Sequence, residues 1–277
     1  MSPDEYCQHK AASSGSSFYY GFLFLPAQRR RAITALYALC REIDDVVDEC
    51  ADPALARIKL EWWRGEIASI EGGVPQHPVT RALAAAAGGF DLPQAQLGEL
   101  VDGMHMDLER NRYEDFDSLL VYCHRVAGVV GQLSARIFGF RDPATLDYAH
   151  ELGIAFQLTN IVRDVGEDAR RGRIYLPADE QARFGVSPED ILSGRHSPAF
   201  RALMEFEIER AERYYASALA ALPSAERRAQ RPGLVMTAIY RTLLAEIRRD
   251  GCRVLDRKIE LPPLRKLWIA WRTWLAG

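Results

Sequence analysis

Apolar side chains return at three- and four-residue steps along most of this chain, and nowhere do they alternate as a half-buried strand requires. Between Pro26 and Cys50 the set is Ile33, Leu36, Tyr37, Leu39, Cys40, Ile43 and Val47, the spacing of one helix face. The same period runs through 54–71, closing at Gly72-Gly73, and through 93–110 as Leu97, Leu100, Val101, Met104 and Leu108. The alanine-rich stretch 79–88 is a good helix former. Asp117-Ser118 predicts a cap for a helix over 117–138 that stops at Gly139, and Pro143 after Asp142 opens another over 143–168. Further helices are predicted over 198–221 and 232–257. With no Asn-Gly hairpin in the sequence, an all-α fold with short connections is expected. The exception is 169–197, where Gly172, Pro177, Gly185, Pro188 and Gly194 predict a loop. A loop of that length inside a compact domain often serves function.

The 277 residues are 48% hydrophobic and 26% charged, ordinary globular values that exclude a disordered or collagen-like chain. No linker interrupts them, so residues 1–277 are expected to form a single domain. A net charge of −3 argues against nucleic acid as a partner. Cys7, Cys40, Cys50, Cys123 and Cys252 are odd in number and lack CxxC spacing, which fits reduced thiols in a cytoplasmic protein. The histidines form no zinc pattern. The N-terminus lacks the basic and apolar regions of a secretory signal. The apolar run Phe18 to Leu25 is interrupted by Gly21 and stops at Pro26, short of the ~18 residues that a span needs.

Two runs carry chemistry. Tyr37, Arg41, Asp44 and Asp48 follow at steps of four, three and four residues, so on a helix they stack along one face with the two carboxylates one turn apart. Like charges at that spacing repel by roughly a few tenths of a kcal/mol. A divalent cation would offset the repulsion, and oxygen-only ligands select Mg²⁺ or Ca²⁺ over zinc or copper. A solvated acidic face explains this run alone equally well. The second run, Gln157, Asn160, Asp164 and Asp168, has steps of three, four and four, with Arg163 beside the first carboxylate. Two such helices face to face would make a cage of carboxylates with one amide. Mg²⁺ takes one or two carboxylates and completes its shell with water and phosphate oxygens. The doubled pair therefore predicts a diphosphate held through bridging Mg²⁺, with arginine forks on its oxygens.

These runs resemble the squalene and phytoene synthase family, the head-to-head prenyl transferases. Asp44-Asp45-Val46-Val47-Asp48 is similar to the family's first aspartate-rich motif. Gln157-Leu158-Thr159-Asn160-Ile161-Val162-Arg163-Asp164-Val165-Gly166-Glu167-Asp168 is similar to the second, and the stretch from Arg170 to Pro177 continues it. Ser17-Phe18, the run from Tyr37 to Arg41, and the run from Tyr122 to Gly131 match as well. The resemblance extends from about residue 13 to residue 257 in family order. It implies an isoprenoid-synthase helical bundle around a central cavity and Mg²⁺-dependent ionisation of an allylic diphosphate. It further implies metal binding by Asp44, Asp48, Asn160, Asp164 and Asp168. Tyr37 and Arg41 are expected at the chemistry. Ser17, Phe18, Tyr37, Arg41, Val126, Gly128, Gln157, Asn160, Arg163 and Arg171 are expected against substrate.

Other features carry two readings each. The small residues from Val126 to Gly131 serve either close helix packing or room for a prenyl tail, and the resemblance favours the tail. Phe18 matches a substrate-contacting position, where an aromatic face can stabilise a cation; Asp107 matches a family acidic position. Arg170, Arg171 and Arg173 form either a solvated basic loop or a lid that excludes water. Arg253 and Arg257 are placed loosely toward the same cavity. The segment 261–277, with Trp268, Trp271 and Trp274 among Arg265, Lys266 and Arg272, reads either as an interfacial membrane contact at the inner face of the membrane or as a docked terminal helix. Size and the stretch from Tyr113 to Val130 most resemble bacterial presqualene diphosphate synthases, which join two farnesyl diphosphates and stop at the cyclopropane. No GxGxxG fingerprint is present, and no NADPH is expected. The rival readings are a phytoene synthase acting on geranylgeranyl diphosphate, and an inactive helical scaffold that binds prenyl diphosphates or proteins.

Overall fold

The computed structural model describes residues 1–13 and 18–276. Among them the regular structure is helical, and the one bridge of strand type is a parallel pairing of Arg112 with Ile174. The all-α expectation holds.

The first half comprises α1 (Pro3–Ser13), α2 (Phe18–Phe22), α3 (Ala27–Glu49), α4 (Pro53–Ala68), α5 (Pro78–Ala87) and α6 (Gln94–Glu109). Short polar caps set several starts. The Asp52 carboxylate accepts from the Ala54 amide at 2.8 Å with Pro53 opening α4, so one orphan donor is satisfied where proline has none to lose. The apolar period of α3 buries Ile33, Leu36, Leu39, Ile43 and Val47. Its polar face turns toward the middle of the molecule.

The stretch predicted as one helix over 117–138 is three pieces. It comprises α7 (Phe116–Cys123), a π turn (His124–Gly128) and α8 (Val129–Phe138). The cap is Asp115, not Asp117: its carboxylate accepts from the Ser118 amide at 2.8 Å, in a capping box with Ser118. α8 stops at Gly139, whose φ of 83° suits a residue without a Cβ. α9 (Thr145–Arg170) is the central helix and packs most extensively on α12 (Pro198–Ala221). The predicted loop 169–197 contains two short helices, α10 (Ala178–Phe184) and α11 (Pro188–Leu192). α11 is capped by Ser187. Arg210 of α12 anchors α10 through a buried pair with Glu180 at 2.9 Å and also pairs with Glu207 on its own helix at 2.7 Å. α13 (Arg231–Arg249) ends before the predicted 257, because Gly251 and Cys252 take φ of 75° and 59° and turn the chain. α14 (Pro263–Ala276) follows and lies on α13 and α2.

Two buried clusters result. One is built on α3, α4, α6 and α8, the other on α9, α12 and α13, and Phe18 and Val126 pack against both. A cavity lies at their seam. Where the π turn and α8 cross α9 the backbones touch: a Cβ on Gly131 would stand 2.0 Å from the Ala149 carbonyl oxygen, and one on Gly153 2.2 Å from that of Ala127. These glycines are required by close approach.

Candidate active site

The polar face of α3 and the facing side of α9 line one cavity of about 550 Å³, and Asp44, Asp48, Asp164 and Asp168 all border it. The helical steps that align each pair also align the arginines beside them. Arg41 reaches Asp44 at 3.2 Å and Asp45 at 2.8 Å. Arg163 forks onto Asp164, with Nε 2.8 Å from Oδ1. Asp48 is held across the cavity by Arg171 at 2.9 Å and Arg173 at 3.0 Å. Lys258 stands 2.8 Å from Glu167 and 3.7 Å from Asp164. Asp45 turns away from the cavity to Lys10, 2.7 Å distant.

The carboxylates are crowded and partly dry. Burial pushes the Asp44 carboxyl up to about 7; Arg41 opposes this, while Asp48, Asp107 and Asp45 reinforce it. Burial likewise lifts Asp168 to about 7, with Asp164 adding to the rise. Asp107 is lifted to about 6 by burial, against hydrogen bonds donated by Tyr175 at 2.8 Å and Tyr122 at 2.9 Å. Negative charge gathered in this way favours any added cation.

The Oδ1 of Asn160 is buried and has no hydrogen-bond partner, although its amide nitrogen donates to Gln157 at 3.3 Å. A buried oxygen left without a donor costs about 1–3 kcal/mol. The donor set of Asp44, Asp48, Asn160, Asp164 and Asp168 is all oxygen and so suits a hard divalent cation. Among the described residues no three carboxylates, imidazoles or thiols come close enough to hold a metal by themselves. A Mg²⁺ at either pair would therefore take its remaining ligands from water or phosphate.

Away from the charged end the walls are apolar. Phe18 sits at ring distances of 5.9 Å from both Tyr37 and Phe156 and 6.1 Å from Tyr240. Val126, Ala127, Val130 and Gly131 form one wall, and Met236, Ile239 and Leu243 of α13 another. At the far end the buried Tyr148 hydroxyl has no hydrogen-bond partner and lies against Gly233.

Of the residues expected at the site, Phe18, Tyr37, Arg41, Val126, Gln157, Asn160, Arg163 and Arg171 border this cavity with the four aspartates. Ser17 lies outside the described residues. Gly128 is not on the wall: its α-carbon faces His150, whose ring would be 2.8 Å from an added Cβ. Packing accounts for that glycine, while Gly131 both packs and borders the cavity. Arg170 is exposed and off the wall. Arg253 and Arg257 are also off it, paired with Asp256 and Asp250. The rim instead includes Lys258, Glu260 and Lys266. Reading a helix through 257 concealed them, since the turn at Gly251-Cys252 is what brings them to the rim.

A model of the squalene/phytoene synthase family matches residues 11–265. The chain is 37% identical over 276 residues to a phytoene synthase of Arthrospira platensis, covering 95% of this chain and 89% of the relative. It is 42% identical over 261 residues to a phytoene synthase of Mycobacterium tuberculosis, covering 93% and 86%. A ligand-bound dehydrosqualene synthase superposes with a TM-score of 0.87 at 29% identity, over 98% of this chain and 95% of the other. The squalene synthase HpnC from Alicyclobacillus acidocaldarius superposes with a TM-score of 0.80 at 28% identity, over 90% and 94%.

Proposed function

We propose that this chain, which belongs to the squalene/phytoene synthase family, condenses two molecules of farnesyl diphosphate head to head and releases presqualene diphosphate. The observation that carries this reading is the cavity with two carboxylate pairs and several cations at one end and apolar walls at the other.

Mg²⁺ held by Asp44, Asp48, Asn160, Asp164 and Asp168 would neutralise charge on the diphosphates and assist departure of one of them. Arg41, Arg163, Arg171 and Arg173 offer forks for the phosphate oxygens, and for this they exchange their present carboxylate partners. The first farnesyl C1–O bond breaks and its electrons leave with diphosphate. The 2,3 double bond of the second molecule then attacks that carbon. Loss of a proton from it leaves the electron pair that closes the cyclopropane. The aromatic cluster of Phe18, Tyr37, Phe156 and Tyr240 on the cavity wall would stabilise the cation, and the apolar walls would keep water from quenching it. Either the released diphosphate or Tyr37 takes the proton. No hydride enters, so NADPH has no part in this reaction.

A second reading, phytoene synthesis from geranylgeranyl diphosphate, is favoured by what the Arthrospira and Mycobacterium relatives are called. The bulk of Tyr148 at the far end of the cavity favours the shorter substrate. The reading includes cytoplasmic location with peripheral membrane contact through 261–277. The test is incubation with farnesyl diphosphate and Mg²⁺, extraction without phosphatase, and mass spectrometry. Presqualene diphosphate that persists when NADPH is added supports the proposal. Squalene formed with NADPH refutes the stopping point. A much higher kcat/KM for geranylgeranyl diphosphate, with a C40 product, replaces the proposal with the second reading.

A further inference from the structure

Asp45 is the member of the first aspartate run that the cavity does not use. It follows Asp44, but one residue is about 100° around a helix, and Asp45 is off the wall that Arg41, Asp44 and Asp48 line. Its two oxygens serve two cations. Oδ2 accepts from the Lys10 ammonium of α1 at 2.7 Å, and Oδ1 accepts from the Arg41 guanidinium at 2.8 Å. The three side chains are shielded, at 24% exposed for Lys10, 22% for Asp45 and 35% for Arg41. Salt screens partly buried pairs of this kind less than surface ones.

Lys10 is itself fixed. Its ammonium also lies 3.0 Å from Glu42, which accepts from the Tyr6 hydroxyl at 2.7 Å. Tyr6 and Lys10 share one face of α1, a turn apart, and the same helix buries Cys7 and Ala11. Arg41 in turn reaches Asp44 at 3.2 Å. A polar chain of Lys10, Asp45, Arg41 and Asp44 therefore runs from α1 to the cavity. The stability of α3 does not account for the Arg41–Asp45 link: at this spacing acid before base is the favoured order, and here the base comes first.

We infer that Asp45 and Lys10 are positioning residues for Arg41. Lys10 fixes the Asp45 carboxylate, and Asp45 holds one end of the guanidinium so that the other end serves the cavity. Arg41 now has two carboxylates, and the proposed function draws Asp44 away to Mg²⁺. Asp45 is the anchor that remains. A guanidinium already held at one end meets a diphosphate oxygen without first being ordered. The inference rests on the proposed function for its ligand, the diphosphate, and binding of that ligand can be measured without turnover.

The experiment is titration calorimetry of the full chain with inorganic diphosphate at saturating Mg²⁺, alongside circular dichroism and melting. Asp45→Asn keeps the shape and removes the charge. It should weaken diphosphate binding by about tenfold and leave the Mg²⁺ requirement unchanged. Lys10→Met should weaken binding in the same direction, and Lys10→Arg should return it to within about twofold of wild type. In an Arg41→Ala background Asp45→Asn should have no further effect, because the arginine it positions is gone. A lower melting temperature with diphosphate affinity unchanged, or an equal loss with and without Arg41, would show that the network only docks α1 and would overturn the inference. A shifted Mg²⁺ requirement would make Asp45 a ligand and overturn it too. Binding that depends on Asp45 through Arg41, in a protein that turns over no farnesyl diphosphate, would keep the positioning role and remove the reaction. Wild-type protein that binds no diphosphate would overturn both.

Discussion

Gly65→Ala should stabilise the protein, whereas Gly153→Ala should leave it no more stable or weaken it. Both glycines lie inside helices, where alanine is worth roughly 1 kcal/mol over glycine. At Gly65, exposed on α4, an added Cβ meets nothing within 4 Å, so the substitution should stabilise by about that amount. At Gly153 the same atom would lie 2.2 Å from the Ala127 carbonyl oxygen and 3.0 Å from the Gly128 α-carbon, where ordinary contact begins at 3.4 Å. Both obstacles are backbone and cannot rotate away, so α9 and the π turn must part by about 1 Å. Overpacking of this kind costs about 1–3 kcal/mol, which cancels the propensity gain and in the upper range exceeds it. Urea unfolding of the two variants should separate them by ~1–3 kcal/mol. In a heat scan each kcal/mol corresponds to about 2–4 °C for a chain of this size. A Gly153→Ala protein stabilised as much as Gly65→Ala would refute the backbone contact and with it the packing account of these glycines.

Asp48→Asn or Asp168→Asn should lower turnover by at least ~100-fold with circular dichroism unchanged, as expected for losing one electrostatic contact to transition-state charge; near-normal turnover with unchanged Mg²⁺ dependence would count against the assignment. Tyr148 lies about 24 Å along α9 from Asp164, so Tyr148→Ala should raise the ratio of kcat/KM for geranylgeranyl over farnesyl diphosphate by about tenfold or more, whereas Tyr148→Phe should leave it unchanged; competition assays would show either. Glu66 accepts from Thr80 at 2.6 Å and from the amides of His77 and Gln76 at 2.9 and 3.1 Å, and although burial pushes its carboxyl up, these bonds outweigh it and hold it below the usual value of 4.5. A lowered carboxyl adds stability above its unfolded pKa and loses it on acidification. Glu66→Gln should therefore cost about 1–3 kcal/mol near neutral pH, and the gap from wild type should close as pH falls through the folded pKa; a gap independent of pH would argue against a charged Glu66.

The paired aspartates were legible in the sequence because their spacing is a helical period, and a period survives folding unchanged. Their meeting at one cavity depends on α3 and α9 facing each other, which no local pattern encodes. The segment 169–197 misled because Gly185, Pro188 and Gly194 punctuate it, although the same residues bound α10 and α11. Gly128 and Gly131 look alike in sequence, yet only one borders the cavity; which one depends on the crossing with α9. Lys258 was hidden for another reason. The non-glycine Cys252 takes φ of 59°, a conformation that composition does not announce, and the turn it makes brings the lysine to the rim. For 261–277 the sequence left docking and membrane contact open; α14 docks one side and leaves apolar side chains exposed on the other.

The π turn at His124–Gly128 has a consequence for chain length. A wide turn holds one residue more than a regular helix would over the same rise. Excising a single residue there would let α7 and α8 merge into an uninterrupted helix with nearly the same rise and phase at either end. With α8 fixed by its crossing of α9, Tyr122 would then keep its hydrogen bond to Asp107, now 2.9 Å. The extra residue is absorbed locally, so the tyrosine that steadies Asp107 and the wall of Val126 and Val130 keep their places despite a sequence separation that a regular helix would turn out of phase. A one-residue deletion within the turn should therefore be better tolerated than the same deletion inside α7 or α8, which would turn the flanking side chains by about 100°.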